Sequence, residues 1–297
     1  MKNNILNSLR STLLSRGSFD TFPESVWQAA GSLNTYGTNA IEGNTLTFDE
    51  VNTVLIGRQG VKKPIRFIME TIQHQAAFRN LMDRRARAID LVTVLELHEE
   101  VFKGILQDYG QWRRTNVMIR GASFTPPRPE ELVPRMDALI QEYDQRELMG
   151  EDVFTLGAWL HYSFETIHPF SDGNGRVGRL LLGLHFLKHN WPPVNVIPAD
   201  RKRYLDALSK GDGGSMEPLK DHLKVAMAAS LLNFLSLVGT ETDELRPLKR
   251  YEGEGGHSSK YLSLRAGQGE LPAVRIANEW ITSNRALELY AQEVGRK

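Results

Sequence analysis

A histidine, an acid, a glycine-rich turn and two arginines fall within twelve consecutive residues of this chain. The segment is His168-Pro-Phe-Ser-Asp172-Gly-Asn-Gly-Arg176-Val-Gly-Arg179. Histidine has an unperturbed pKa close to neutrality, so beside a bound phosphate it can accept a proton as a general base. Asp172 is an acid near cations, and Mg²⁺ is usually held by one or two carboxylates together with substrate phosphates. These residue types predict nucleophilic attack on a phosphoryl group.

The middle of the segment has the composition of an anion-binding turn. Gly173, Asn174 and Gly175 tolerate positive φ angles and a close approach of the backbone, and they directly precede a predicted helix. Backbone N–H groups at a helix N-terminus attract anions, and the helix dipole adds to this attraction. Arg176 and Arg179 are three positions apart, so they share one face of the first helical turn. We expect them to complete a clamp for polyphosphate.

A second segment places an acid at the end of a helix. Thr38-Asn-Ala-Ile-Glu42 closes a helix predicted over about residues 23–42, and Gly43 follows as a C-terminal stop. The negative end of the helix dipole disfavours a carboxylate there by about 0.3 kcal/mol or more, and a nearby cation would relieve this cost. A solvated surface glutamate is the alternative, and these residues by themselves leave both interpretations open.

The twelve-residue segment resembles the signature of the Fic family, His-Pro-Phe-x-(Asp/Glu)-Gly-Asn-Gly-Arg-x-x-Arg, at every fixed position. The similarity runs from about Ser32 to Val238. It implies that the chain transfers AMP from ATP, its co-substrate, to a Ser, Thr or Tyr hydroxyl of a target protein, with Mg²⁺ as the metal cofactor and pyrophosphate as the leaving group. The resemblance assigns the roles as follows: His168 is the base, Asp172 is the Mg²⁺ ligand, Gly173, Asn174 and Gly175 form the anion hole, and Arg176 and Arg179 bind the polyphosphate.

The resemblance extends to Glu42. Residues 38–44 are similar to the Fic inhibitory motif, (Ser/Thr)-x-x-x-Glu-(Gly/Asn), of the class whose inhibitory helix precedes the catalytic loop. It implies that Glu42 reaches Arg179 and blocks the position of the γ-phosphate. In some relatives the same glutamate supports removal of AMP from the target. The Doc toxins, which transfer phosphate itself, carry a lysine at the position of Gly175, so the glycine favours AMP transfer.

The remaining pattern predicts a mainly α fold, consisting of a helical core of the Fic type with a small β-hairpin flap. The hairpin is predicted because residues 111–120 alternate in polarity and a Gly- and Pro-rich stretch follows. Residues 110–127 resemble the Fic flap, which holds the target segment. Met118 and Ile119 would press on the adenine or the target, with plain hairpin packing as the alternative.

Tyr204 matches a position that lines the adenine pocket in relatives, and a core aromatic is its alternative. Apolar periodicity predicts helices over about residues 66–83, 90–104, 130–145, 154–167, 176–189, 200–210 and 218–238.

The C-terminal region differs from the rest of the chain in composition and in its pattern of predicted elements. The sequence divides into an N-terminal helical region with the inhibitory helix (1–90), a Fic catalytic core (91–240), a charged, Gly-rich linker (241–257) and a small module (258–297). That module, with a helix, two strands and a closing helix, resembles part of a winged-helix α/β domain. Lys260, Arg265 and Arg275 make DNA binding one interpretation, and protein docking or dimerisation is the other.

Composition excludes several classes of function. The chain has 297 residues, with 36 basic and 36 acidic side chains and no cysteine. Thiol catalysis, disulfides and thiolate metal sites are therefore excluded, and no net charge attracts the chain to nucleic acid or membrane. The N-terminus lacks the apolar core of a signal peptide, and no apolar run reaches the roughly 18 residues needed to cross a bilayer. We expect a cytoplasmic protein with no membrane partner.

The other histidines suggest no second site. His185 and His189 are four positions apart, a spacing known from zinc sites, but Phe186 follows His185 where a zinc-protease motif has a glutamate. We predict a structural or surface role for both. His74, His98 and His161 lie in predicted helices without a partner pattern and are given no role.

Two alternatives to an adenylyltransferase stay open. The chain could be a DNA-binding regulator whose Fic body is a sensor or scaffold, but intact His168, Arg176 and Arg179 favour an enzyme. It could also be a Fic enzyme that uses UTP, GTP or another phosphate-linked donor, because the glycine-rich loop recognises the phosphates of a nucleotide better than its nucleobase. The oligomeric state is open, and a homodimer is one of the states that the resemblance implies.

Overall fold

The computed structural model describes residues 1–57, 60–119, 121–253, 257–276 and 279–295. These residues form twelve α-helices and one three-stranded sheet, which confirms the predicted mainly α fold. The chain divides into two compact units, one of residues 31–222 and one that combines residues 1–30 with residues 223–297. The motif segments lie in the first of these units, which we call the larger unit.

The larger unit consists of helices joined by loops. Its helical boundaries lie within a few residues of those that apolar periodicity predicts. Helix α2 enters it from the other unit, and α10 begins in it. The helices are α2 (Glu24–Ile41), α3 (Phe48–Leu55), α4 (Ile65–Arg84), α5 (Leu91–Phe102), α6 (Leu132–Leu148), α7 (Val153–Ile167), α8 (Asn174–Lys188), α9 (Arg201–Gly211) and α10 (Glu217–Val238).

Helix α8 is the centre of the larger unit. Nearly all of its residues are buried, including Val177, Leu180 and Leu184, so the helix is enclosed by protein on every side. It packs against α4, α5 and α7. The N-terminus of α8, where the glycine-rich turn enters the helix, is therefore fixed from three directions.

Polar caps start the helices that carry the site. Thr47 accepts a hydrogen bond from the Glu50 N–H while the Glu50 carboxylate accepts one from the Thr47 N–H, so α3 begins with a capping box. Asp90 caps α5 and Asp152 caps α7 in the same manner, each accepting from a backbone N–H three residues on. Helix α7 ends at Ile167, which sets the position of His168.

The flap differs from the sequence prediction. Apart from residue 120, which lies outside the described residues, the segment 110–127 is an irregular loop without strand pairing. Arg113 provides the physical reason, because its guanidinium binds the carbonyl oxygens of Thr115 and Pro127 that a partner strand would otherwise take. Pro126 and Pro127 also lack the N–H that a ladder requires. The predicted hairpin is thus wrong in its secondary structure.

The second unit contains α1 (Asn3–Arg16), α11 (Ser259–Gly267), α12 (Asn284–Gly295) and strands β1 (Arg246–Pro247), β2 (Val274–Ile276) and β3 (Glu279–Thr282). The strands are antiparallel in the order β1-β3-β2. The predicted helix, two strands and helix are therefore present. Strand β1 comes from residues 241–257, predicted as a linker, and residues 254–256 of that stretch lie outside the described residues. Leu248 and Tyr251, from the same stretch, are buried in the core of this sheet.

By length and composition, α10 could cross a bilayer, and it is the single such helix among the described residues. However, 61% of its most apolar window is buried inside the protein. Burial of this kind is typical of the core helix of a globular domain.

Candidate active site

The loop between α7 and α8 is held by its own side chains. His168 has a left-handed backbone with φ of 51°, and Gly173 has φ of 86°. The side chain of Asn174 forms two hydrogen bonds with the backbone of Phe170. Its Oδ1 accepts from the Phe170 N–H and its Nδ2 donates to the Phe170 carbonyl, each at 2.9 Å. The side chain of Asn174, predicted as part of the anion hole, is therefore used to shape the loop. Only its backbone N–H is left to face an anion.

His168 is held in the tautomer that a general base needs. Its Nδ1 lies 3.2 Å from the carbonyl oxygen of Glu165. Because a carbonyl oxygen can only accept, Nδ1 carries the proton and donates a hydrogen bond to it. The lone pair is then on Nε2. Burial lowers the pKa of His168 below its usual value, although the carbonyl of Glu165 works in the opposite direction. The imidazole is consequently neutral near pH 7 and able to accept a proton.

Two glycines allow the backbone to pass where side chains could not. A Cβ atom on Gly173 would collide with the ring of Phe102, and one on Gly175 would collide with the Glu42 carboxylate and approach Arg179. Gly175 lies in the first turn of α8, so this turn and the Glu42 carboxylate are in direct contact. A carboxylate thus lies against the surface that was predicted to receive a phosphate.

Arg176 is fixed by a buried acid that the motif does not include. Its Nη1 lies 2.9 Å from the Glu70 carboxylate, and both side chains are at most 6% exposed. The guanidinium also lies over the ring of Phe102, 4.4 Å from its centre. Arg176 is therefore held in place by α4 and α5.

Asp172 is paired with an arginine from α4. Its carboxylate accepts from Arg66 Nη2 at 2.7 Å and lies 3.6 Å from Arg176. Burial opposes ionisation of Asp172, but the charge of Arg176 and the hydrogen bonds from Arg66 and the Gly173 N–H hold its pKa below the usual value. Asp172 is thus a carboxylate at neutral pH, as a Mg²⁺ ligand must be.

Arg179 is bound by the C-terminal turn of α2. Its Nη2 lies 2.6 Å from Glu42 Oε1, and its Nε donates to the Thr38 hydroxyl at 2.7 Å. The Arg179 side chain is 7% exposed and that of Glu42 is 35% exposed. Burial opposes ionisation of Glu42, but Arg179 outweighs it and lowers the pKa of the carboxyl. The predicted contact between Glu42 and Arg179 is present.

Tyr204 lies in the core beside this pair. Its hydroxyl is 2.6 Å from His161 Nε2, and its ring lies 6.0 Å from the guanidinium carbon of Arg179. A pocket of about 330 Å³ opens between the flap loop, α7 and α9, but Leu205 and Leu208 of α9 line it and Tyr204 does not. Tyr204 is thus a buried aromatic beside Arg179, and its place in an adenine pocket stays a prediction.

The flap residues divide between pocket and solvent. Ile119 lines the pocket together with Phe124, whereas Met118 is 92% exposed. The Ser123 hydroxyl donates to Asp212 at 2.8 Å, and Tyr162 donates to the same carboxylate at 3.1 Å. Asp212 thereby holds the flap loop close to α7.

Comparison with known proteins agrees with this geometry. Residues 88–186 match the model of the Fic/DOC family. This part of the chain is thus similar to the Fic domain. The curated protein adenylyltransferase fic-1 of Caenorhabditis briggsae is 29% identical over 216 residues, which are 71% of this chain and 42% of that protein. Protein adenylyltransferase Fic of Drosophila melanogaster is 29% identical over 259 residues, 80% of this chain and 51% of that protein. The chain thus spans about half the length of the curated relatives it matches.

Solved structures show the same fold. Fic-1 (aa134–508) from C. elegans superposes with a TM-score of 0.66 at 26% identity and covers 79% of this chain and 72% of that one. A Fic domain containing signaling protein from Bacteroides thetaiotaomicron gives a TM-score of 0.68 at 24% identity and covers 78% of this chain and 97% of that one. The helical arrangement around the motif is therefore that of Fic proteins.

Two residues that sequence reasoning missed hold the loop of the Fic domain. Arg113 is buried, its Nε donates to the His168 carbonyl at 2.8 Å, and its backbone N–H donates to the Pro169 carbonyl. His98, which was given no role, stacks on Phe170 with ring centres 3.8 Å apart. Neither residue belongs to the motif, and only a conserved spacing relative to it could have indicated them.

His98 also has a defined tautomer. Its Nδ1 accepts from the Gly110 N–H at 2.9 Å, so its Nε2 carries the proton and donates to the Asp172 carbonyl at 3.2 Å. Burial lowers its pKa to about 4, which keeps it neutral. His98 thereby connects α5, the start of the flap loop and the catalytic loop.

His185 lies near the C-terminal end of α8 and His189 directly follows that helix, so both are away from the motif. His185 uses both ring nitrogens inside the protein, at 3.0 Å from the Tyr143 hydroxyl and 2.9 Å from the Val153 carbonyl. His189 Nε2 lies 3.3 Å from the Glu147 carboxylate. These contacts are structural ones within the Fic domain.

Proposed function

We propose that this chain is an auto-inhibited protein adenylyltransferase, which transfers AMP from ATP to a Ser, Thr or Tyr hydroxyl of a target protein. The observation that carries the proposal is the arrangement at the two ends of one loop. A neutral histidine with a free Nε2 lies at the start, and a glycine-lined helix N-terminus with two arginines lies at the end. The names of the curated relatives support the same chemistry.

The reaction follows from these parts. The target hydroxyl oxygen attacks the α-phosphorus of ATP, and His168 Nε2 takes its proton. The bond from the α-phosphorus to the bridging oxygen of the β-phosphate breaks, and pyrophosphate leaves with that electron pair. The N–H groups of the first turn of α8, with Arg176 and Arg179, stabilise the charge on the phosphates. The absence of a side chain on Gly175 leaves room for the polyphosphate.

Asp172 is the residue that would hold Mg²⁺. It is ionised, its side chain is 45% exposed, and its partner Arg66 is itself half exposed, so a hydrated cation can reach it. A single carboxylate beside a phosphate site is the donor set that Mg²⁺ takes with a nucleotide. The metal would neutralise phosphate charge and orient the leaving group.

Auto-inhibition is the finer part of the proposal. The Glu42 carboxylate is ion-paired with Arg179 and lies against Gly175, so it fills the position where a γ-phosphate would bind. Two anions cannot share that space without a cost of several kcal/mol in a partly buried site, about 4 kcal/mol at 4 Å by Coulomb's law at an effective dielectric of 20. ATP then binds with its α-phosphate out of line with the incoming hydroxyl.

The position of the label distinguishes this function from its alternatives. The Glu42→Gly form is incubated with Mg²⁺, a protein lysate, and ATP labelled either at the α- or at the γ-phosphorus. Transfer of AMP predicts that protein is marked from the α-label alone. Marking from the γ-label would make the chain a phosphotransferase, and marking from neither would overturn the proposal. Labelled UTP and GTP in parallel identify the preferred donor.

A further inference from the structure

Arg66 is a charged residue of the site for which the proposed reaction has no use. It lies in the first turn of α4, where the positive end of the helix dipole disfavours a cation. Two acids compensate for this: Arg66 Nε lies 2.9 Å from Glu70 Oε1, and Nη2 lies 2.7 Å from Asp172 Oδ2. Arg66 therefore bridges α4 to the loop that follows His168.

The two acids that Arg66 binds differ in their environment. Glu70 is 6% exposed and keeps Arg176 as a second, buried partner, so it is a fixed part of the structure. Asp172 is 45% exposed, and Arg176 approaches it only to 3.6 Å. The contact of Arg66 with Asp172 is thus the solvent-accessible contact in this chain of charges, and it can open without leaving a buried charge unpaired.

We infer that Arg66 competes with the divalent metal for Asp172 and so sets the metal concentration at which nucleotide is bound productively. This inference rests on the proposed function, in which Asp172 is the metal ligand. A guanidinium within hydrogen-bond distance of Oδ2 occupies an oxygen that an incoming cation needs, and its charge repels that cation. The metal must displace Arg66, which then retains Glu70 as its partner.

The contact between Arg66 and Asp172 is separate from the contact between Glu42 and Arg179. Glu42 is an anion that blocks a phosphate position, whereas Arg66 is a cation that blocks a metal position. They are on different helices, α2 and α4, and bind different residues of the catalytic loop and α8. Replacing one of these residues leaves the contact of the other in place, so the two can be tested separately.

The test measures binding, not turnover. Mn²⁺ replaces Mg²⁺ because electron paramagnetic resonance counts free Mn²⁺, and the nucleotide is an ATP analogue with a methylene between the α- and β-phosphorus, which cannot release pyrophosphate. The parent, Arg66→Ala, Arg66→Lys and the control Arg135→Ala are titrated as full chains. Arg135 is a matched arginine that is 61% exposed and ion-paired with Glu131 at 3.8 Å.

The inference predicts that Arg66→Ala tightens Mn²⁺ binding about 1.5- to 5-fold, the range expected from an exposed ion pair. Arg66→Lys falls between it and the parent, and Arg135→Ala equals the parent. The gain is lost when Asp172→Asn is added, because Arg66 and the metal then no longer compete for a carboxylate at position 172. Nucleotide affinity in EDTA is not raised by Arg66→Ala. Melting temperatures of all variants verify that the fold is retained.

Two results would overturn the inference while leaving the proposed function intact. One is an unchanged Mn²⁺ affinity in Arg66→Ala. The other is a weaker affinity for nucleotide both with and without metal, which would make Arg66 a phosphate ligand instead. If neither the parent nor any variant binds the nucleotide with Mn²⁺, the proposed function itself fails, and the inference fails with it.

Discussion

Glu42 and Arg179 are 137 positions apart in sequence, and a 2.6 Å ion pair joins the end of α2 to the first turns of α8. The same guanidinium donates to the Thr38 hydroxyl, one turn earlier on α2. Arg179 is thus bound by α2 through two side chains, and only one of them is an acid. In the proposed mechanism, replacing Glu42 removes the charge that would exclude a phosphate, and the Thr38 hydroxyl still holds Arg179.

His168→Ala is expected to abolish AMP transfer in the Glu42→Gly background. Loss of a general base typically costs about 10²–10⁴ in rate. Transfer of an α-label from ATP to protein measures the effect. His189→Ala is the matched control, since His189 directly follows α8 and contacts Glu147, and we expect it to label as its parent does. Equal labelling by the His168 variant would remove His168 from the role of base.

The imidazole of His168 is expected to titrate below the usual value of about 6.5, because burial lowers its pKa. The charge of Glu42 raises that pKa, so Glu42→Gly shifts the midpoint further down. Histidine ring signals followed by NMR against pH measure both midpoints, with His168→Ala identifying the signal. A midpoint above the usual value, or an upward shift in Glu42→Gly, contradicts this description of the site.

Glu165 predicts a pH-dependent stability. One of its carboxylate oxygens is enclosed, no described group donates to it, and burial raises the pKa to about 8. The folded chain therefore keeps a proton that the unfolded chain releases above about pH 4.3. By linkage, this group makes the free energy of unfolding fall as pH rises from that value to about 8, and the contribution is then constant.

Glu165→Gln, which is neutral in both states, should remove this part of the pH dependence. The variant is expected to gain stability relative to the parent progressively from pH 5 to pH 8. Urea unfolding at a series of pH values gives the difference directly. A difference between the two proteins that does not change with pH would mean that Glu165 is ionised in the folded chain.

Local chemistry explains why much of the site could be predicted from the sequence. The turn at Gly173 and Gly175 and the helical periods depend on residues close together in the chain. Glu42 reached Arg179 as expected because a family resemblance supplied the long-range contact. Without that resemblance, an acid at a helix end and an arginine 137 positions later would have remained unrelated.

Contacts between distant elements could not be predicted in the same manner. Three such contacts join helices or loops whose packing is set by the whole core. They are the contacts of Arg66 with Asp172, of Arg113 with the His168 carbonyl, and of His98 with Phe170. The flap was mispredicted because alternation in polarity cannot reveal that Arg113 binds the carbonyls of the loop. Helix α1 was not predicted as a helix, since many polar residues in its sequence obscure the stripe of buried Ile5, Leu6, Leu9 and Leu13.

The most direct test of auto-inhibited AMP transfer compares α-label incorporation from ATP by the parent, Glu42→Gln and Glu42→Gly, with nucleotide binding measured alongside. A charge-assisted hydrogen bond contributes about 1.5–3 kcal/mol, so we predict that Glu42→Gly labels protein roughly 10- to 100-fold more than the parent. Glu42→Gln, which keeps the bulk but loses the charge, should fall between them. Unchanged labelling by Glu42→Gly, with the nucleotide bound and the fold intact, would contradict the account.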